Sequence, residues 1–281
     1  MTAGIAFLSW LNGHIGKPRG WERVVCALAP PEKCKALGEP CVLRDGSLFV
    51  VQPGLQLGWH VLLFGAYERE VREIMRAVVP RGGTVIDVGA NVGWHSLLMA
   101  RLVGADGRVL AVEANASIRR RLALNIALNR LANVDLVPCA LSSREQMLKF
   151  TVRTAEQPDS ASGHVLADDA GGEAAAIEAR PLDAIVREKA CARVDFLKID
   201  VEGFEWPVLQ GAEETVSRFR PHIVFEFDKA YWPRGGGDPA SLSAFFDTHR
   251  YRLFTIGRDC CTAIAGDWPD CANIYAVPAG E

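Results

Sequence analysis

The run Val85-Ile86-Asp87-Val88-Gly89-Ala90-Asn91-Val92-Gly93 limits what this chain can fold into more than any other stretch. It sets a strand, a turn of small residues and a helix start in direct succession. That order belongs to an open α/β sheet, whose ligands bind just beyond the carboxyl ends of the strands. Gly89 and Gly93 permit torsions or close approaches that a side chain would block, and Asn91 is the residue type that best replaces glycine at positive φ. A dinucleotide-binding turn would place glycine at 89, 91 and 94, but the chain has Gly89, Asn91 and Trp94. A nicotinamide-dependent oxidoreductase is therefore the weaker reading. The turn suits a cofactor without a pyrophosphate, with the Asp87 carboxylate just before it.

The same alternation extends along the chain. Thr84–Val88 reads as a strand, 92–103 as a helix, Val109–Glu113 as a strand, 116–130 as a helix and Val134–Leu141 as a strand. Such β-α-β alternation implies a parallel sheet with right-handed crossovers. Tyr67–Val79 has helical spacing that stops at Pro80. Further strands are expected at Met147–Val152, Val194–Asp200 and Ile223–Phe227, and helices at Leu182–Glu188 and Phe204–Phe219. Tyr251–Ile256 and Asn273–Val277 read as a late antiparallel pair. Thr154–Ala176, rich in Ala, Asp, Gly, Ser and Glu, is expected to be a mobile, lid-like loop. Residues 1–63 read as a cap with a hairpin at Cys41–Leu43 and Leu48–Val51, ahead of the main domain over 64–281.

With 281 residues and 49% hydrophobic composition, one large core is expected. A net charge of −3 and scattered basic residues argue against a nucleic-acid partner. No run is long and apolar enough for a membrane span, and the first ten residues lack a basic leader, so a cytoplasmic protein is expected. The eight cysteines show no CxxC pair, so neither a disulfide framework nor a metal site is expected.

Glu113 ends the strand after the glycine turn, where an acidic side chain can accept hydrogen bonds from both hydroxyls of a ribose. The strand from Val194 ends in Asp200-Val201-Glu202-Gly203, which brings two more carboxylates to the same sheet edge. Charged Lys198 and Asp200 inside an apolar run are costly unless paired or open to a cavity. They read either as a structural Lys198–carboxylate pair or as part of a reaction chamber. Asp200 and Glu202 are the first candidates for a general base, with Glu226 orienting the acceptor or the base. His95, His164 and His222 are weaker alternatives.

These segments resemble the FkbM family of methyltransferases: Val85–Gly93, Val112-Glu113-Ala114-Asn115, Leu197–Gly203 and Arg220-Pro221 before Ile223–Glu226 follow in the family's order. Phe64–Glu68 and the helix end Leu124-Asn125-Ile126-Ala127-Leu128-Asn129 extend the similarity over about 64–228. The resemblance implies a class I (Rossmann-like) α/β methyltransferase with a doubly wound, mostly parallel sheet. It implies S-adenosyl-L-methionine as cofactor and O-methylation of a sugar, polyketide or other small secondary metabolite; N- or C-methylation and a non-catalytic binding module stay open. By that analogy Asp87, Gly89, Asn91 and Gly93 hold the methionine part, and Ala90, Ala114 and Asp200 also meet the cofactor. Glu113 takes the ribose, Ala140 and Leu141 lie near the adenine, and Tyr67 and Glu68 close over the cofactor. Ser162 and His164 in the polar loop are expected to meet the acceptor. Ala114 departs from the proline usual in the family, a change the turn tolerates.

Overall fold

A period-two alternation in the apolar runs divides the core into two layers, one on each face of a central sheet. The structure, a computed structural model, describes residues 40–43, 46–50, 56–64, 67–151, 174–258 and 260–280. Within them the chain forms β1 (Pro40–Val42), β2 (Leu48–Val50), α1 (Gln56–Phe64), α2 (Arg69–Val78), β3 (Thr84–Val88), α3 (Trp94–Val103), β4 (Arg108–Val112) and α4 (Ala116–Leu128). Next come β5 (Val134–Val137), β6 (Ala140–Leu141), β7 (Gln146–Thr151), β8 (Ala174–Arg180), α5 (Leu182–Glu188), β9 (Phe196–Ile199), α6 (Glu205–Gln210) and α7 (Glu213–Phe219). β10 (His222–Asp228), a 3-10 turn (Trp232–Gly235), α8 (Pro239–Thr248), β11 (Tyr251–Ile256), β12 (Cys261–Ala263) and β13 (Cys271–Pro278) complete the order.

The main sheet runs β12-β11-β13-β10-β9-β3-β4-β5. β10, β9, β3, β4 and β5 are mutually parallel, whereas β13, β11 and β12 join antiparallel. The fold is thus a doubly wound α/β fold, mostly parallel, with a late antiparallel addition. Ile86, Val88, Leu110, Leu197, Ile199 and Phe225 pack on one face under α5, α6, α7 and α8. Val85, Val109, Phe196 and Val224 pack on the other with α2 and α3.

Several boundaries differ from the sequence expectation for identifiable reasons. The strand expected over Val134–Leu141 breaks at Pro138, which has no N–H for the ladder. Its second half, β6, pairs instead with β8 in a three-stranded sheet with β7. The helix expected over Phe204–Phe219 divides at Gly211, whose added Cβ would lie 2.1 Å from the Ser142 carbonyl oxygen. α1 and α8 were not expected, although Asp238 caps α8 from its side chain to Ser241 N (2.7 Å), with Pro239 behind it. Residues 152–173, most of the polar loop, lie outside the described residues.

The β1–β2 hairpin falls where the sequence placed it, and it is docked. Phe49 is fully buried and meets Trp94 edge-on at 5.6 Å. Asn129 accepts from Leu48 N (3.0 Å) and donates to Leu48 O (2.6 Å), while Asn125 accepts from Val50 N (2.8 Å). No helix among the described residues is long and apolar enough to cross a membrane.

Candidate functional site

The strand order reverses between β3 and β9, and a cleft opens beyond their carboxyl ends, where such sheets bind ligands. Gly89 sits at φ 75°, and a Cβ there would lie 1.8 Å from the carbonyl oxygen of Asp200. The two strand ends therefore touch backbone to backbone, an approach open only to glycine. Asn91 follows at φ 49°, and its own Oδ1 accepts from Val92 N at 2.8 Å. Gly93, at φ 96°, faces the Leu97 and Leu122 side chains. It seats α3 against α4 and does not line the cleft.

Glu113 braces the turn from the neighbouring strand. Its Oε2 accepts from Asn91 N (3.0 Å) and its Oε1 from Asn115 N (2.8 Å). Burial pushes its carboxyl up to about 7, against the pull of those two bonds and of Arg119. A carboxylate has roughly four lone-pair directions, so each oxygen keeps one for a ligand hydroxyl. Ala114, Ala140 and Leu141 continue the wall beside it.

Asp87 goes elsewhere. It is 1% exposed, accepts from Ser96 Oγ at 2.5 Å and stands 4.0 Å from Lys198 Nζ, below the turn and outside the cleft lining. Lys198 donates to Asp200 Oδ2 at 2.9 Å. Burial alone would push the Lys198 ammonium down, but Asp200, then Asp87 and Glu68, outweigh it and raise its pKa. An Asp–Lys–Asp chain thus runs from the sheet interior to the cleft floor, the paired arrangement that burial of these charges demands.

The cleft is also acidic. Asp200, Glu202 and Glu226 line it, as do Tyr67 and Glu68. Burial, then Asp200, Glu202, Glu205 and Glu68, pushes the Glu226 carboxyl up to about 9. Burial works against the Glu68 carboxylate, yet its 2.7 Å contact with His95 Nε2, together with Lys198 and Asn273, holds it down at about 2. Burial, then Glu68 and Asp200, raises the Tyr67 phenol.

Glu205 was not singled out in the sequence. It is 1% exposed at the start of α6, and its Oε1 accepts from Val201 N (2.9 Å) and Gly203 N (3.3 Å). Glu202 and Gly203 both hold positive φ, 55° and 95°, so Glu205 fixes the strained loop that carries Asp200 and Glu202. Its Oε2 is buried without a hydrogen-bond partner, and burial pushes its carboxyl up to about 7. A glutamate just after an acid-acid-glycine turn, at a helix start, was the available signal.

The cleft holds about 1200 Å³ counted out to its open mouth. Of the residues expected at a site, Tyr67, Glu68, Gly89, Ala90, Asn91, Glu113, Ala114, Ala140, Leu141, Asp200, Glu202 and Glu226 line it; Asp87 and Gly93 do not. Ser162 and His164 lie outside the described residues. His95 lines the cleft, whereas His222, at the far end of β10, meets Tyr275 Oη at 2.7 Å. Leu57, Ile118 and Phe150 add an apolar wall the sequence did not announce. Among the described residues no group of three or more His, Cys, Asp or Glu is placed to hold a metal ion.

The profile of a family described as "Methyltransferase FkbM domain" matches residues 87–253. The AMB antimetabolite synthetase AmbE of Pseudomonas aeruginosa is 30% identical over 239 residues, covering 72% of this chain and 11% of that protein. Methyltransferase sdnD of Sordaria araneosa is 30% identical over 177 residues, covering 53% of this chain and 68% of that one. A crystal structure of methyltransferase FkbM from Methylobacillus flagellatus KT aligns at 16% identity with a TM-score of 0.46, over 77% of this chain and 52% of that one. The chain therefore spans about a tenth of AmbE and about half of the M. flagellatus protein.

Proposed function

Since this chain belongs to the FkbM methyltransferase family, we propose that it moves a methyl group from S-adenosylmethionine to a hydroxyl of a small molecule, such as a sugar or polyketide. The observation that carries this reading is one cleft that joins a braced glycine turn to a cluster of carboxylates. Glu113 and the Gly89–Asn91 turn line it together with Asp200, Glu202 and Glu226.

The residues present fit the cofactor. The lone pairs left on Glu113 suit a ribose diol, the apolar wall of Leu57, Ile118 and Phe150 suits a flat base, and the acids suit the positive charge of a sulfonium. When bound, S-adenosylmethionine supplies a methyl group on a positively charged sulfur. The protein's task is to hold a nucleophilic oxygen in line, about 3 Å from that carbon, and to remove its proton. Asp200, half-buried in the cleft lining and oriented by Lys198, takes the proton. Glu226, protonated at neutral pH because burial and its acidic neighbours disfavour its charge, donates a hydrogen bond that orients the acceptor. Glu202 lines the same cleft. The β1–β2 hairpin, held by Asn125 and Asn129 of α4, packs beside the glycine turn of the domain we assign to 64–281.

Titration calorimetry of the purified protein with S-adenosylhomocysteine, with NAD as control, tests the cofactor. Micromolar binding of the first and none of the second is expected; folded, ligand-stripped protein that binds neither overturns the proposal.

A further inference from the structure

The glycine turn holds three consecutive odd-numbered residues at positive φ, Gly89, Asn91 and Gly93. A non-glycine residue keeps such a torsion only when its surroundings over-determine it. From the strand side, Glu113 fixes the N–H of Asn91. From the helix side, the Asn125 amide fixes the next residue. Asn125 is fully buried in α4, and its Nδ2 donates to the Val92 carbonyl oxygen at 2.8 Å. Its Oδ1 accepts from Val50 N at 2.8 Å. One side chain thus spans the hairpin and the turn.

We propose that Asn125 is a positioning residue for the cofactor turn, its amide clamping the Val92 carbonyl so that Asn91 stays left-handed against Glu113. The inference rests on the cofactor reading above. Without the amide, the buried Val92 carbonyl loses its donor, and the 91–92 peptide is free to rotate away from the geometry that presents Glu113 to a ribose. Asn129, one helical turn further on, provides the contrast. It grips the hairpin at Leu48 and accepts from Arg101 Nη2 (3.1 Å), and none of its bonds reaches the turn.

Four variants separate the clamp from general damage: Asn125→Leu, the milder Asn125→Ser, Asn129→Ala, and Val50→Pro, which removes the hairpin N–H but leaves the bond to Val92. Each is titrated with S-adenosylhomocysteine, and amide hydrogen exchange of the 89–97 segment is followed in the ligand-free protein. Both Asn125 variants are expected to weaken binding roughly tenfold, the loss of about one well-placed hydrogen bond, and to speed exchange at 89–97. Asn129→Ala and Val50→Pro are expected to stay within about twofold of the unsubstituted protein. Asn125 variants with unchanged affinity and exchange overturn the proposal, as does an equal loss in all four, which would assign the effect to hairpin docking. Should Asn125→Leu not fold, Asn125→Ser decides. If the unsubstituted protein binds no S-adenosylhomocysteine, the cofactor reading fails on its own, and the exchange comparison still decides whether Asn125 holds the turn.

Discussion

Replacing Glu205 by Gln should flatten part of the pH dependence of this protein's stability. The ordinary carboxyl value of 4.5 rises to about 7 at this position, chiefly through burial. Between those values the unfolded chain has released the proton while the folded chain still holds it. The folded state then binds more protons, so stability falls as pH rises through this window and levels off above about 7. At about 1.4 kcal/mol per pH unit, a rise from 4.5 to about 7 corresponds to about 3 kcal/mol. Glu113 titrates in the same window for the same reason, so the unsubstituted protein should lose more than this single share. Glutamine keeps the carbonyl oxygen that receives Val201 N and Gly203 N but has no proton to lose. Its unmatched amide donors cost stability equally at every pH, so only the slope is diagnostic. Urea unfolding followed by tryptophan fluorescence, at half-unit steps from pH 4.5 to 8, gives both curves. The difference between them should change by about 3 kcal/mol across the window. Parallel curves would refute the reasoning, because they would mean that Glu205 titrates alike in the folded and unfolded chain.

Gly89→Ala forces a Cβ to within 1.8 Å of the Asp200 carbonyl and should abolish S-adenosylhomocysteine binding in calorimetry, with far-UV circular dichroism reporting whether the fold survives. Lys198→Met leaves Asp87, 1% exposed, and Asp200 without their cation; urea unfolding should show a loss of about 3–5 kcal/mol. Asp200→Asn should remove turnover, read by methyl transfer to an acceptor, while calorimetric binding of S-adenosylhomocysteine survives. With a protonated Glu226 orienting the acceptor, kcat/KM should fall as pH passes about 9, and Glu226→Gln, which keeps a donor, should remove that limb of the profile.

Features written in contiguous residues could be read from the sequence; those made by distant partners could not. The strand-turn-helix at Val85–Gly93 and Glu113 at the end of the next strand share one βαβ unit, so their relation follows from connectivity alone. Asp87 lies in the same run, yet its direction depends on Lys198 and Ser96, which β9 and α3 bring beneath it. Proximity to a glycine turn therefore suggested a ligand contact, where the fold makes a buried ion pair. Glu205 was hidden for the opposite reason: a glutamate at a helix start is commonplace, and its importance arises only from the loop folded over it. Pro138 and Gly211 were visible as breakers, but apolar residues on both sides masked them as continuous elements. The Asp238-Pro239 helix start carried a usable signal that the polar stretch around it obscured.

The position of β13 has a consequence for how the chain is made. It lies between β10 and β11, yet it leaves the ribosome after both. Until Cys271–Pro278 inserts, each of those strands shows an open edge, and Glu68 lacks its contact with Asn273, 205 positions away. Open edges of this kind invite pairing with other chains. A message cut short before Cys271 would thus yield a product with two unpaired strand edges, prone to aggregate. Vectorial synthesis leaves the interior of this sheet to a strand that emerges after both of its neighbours.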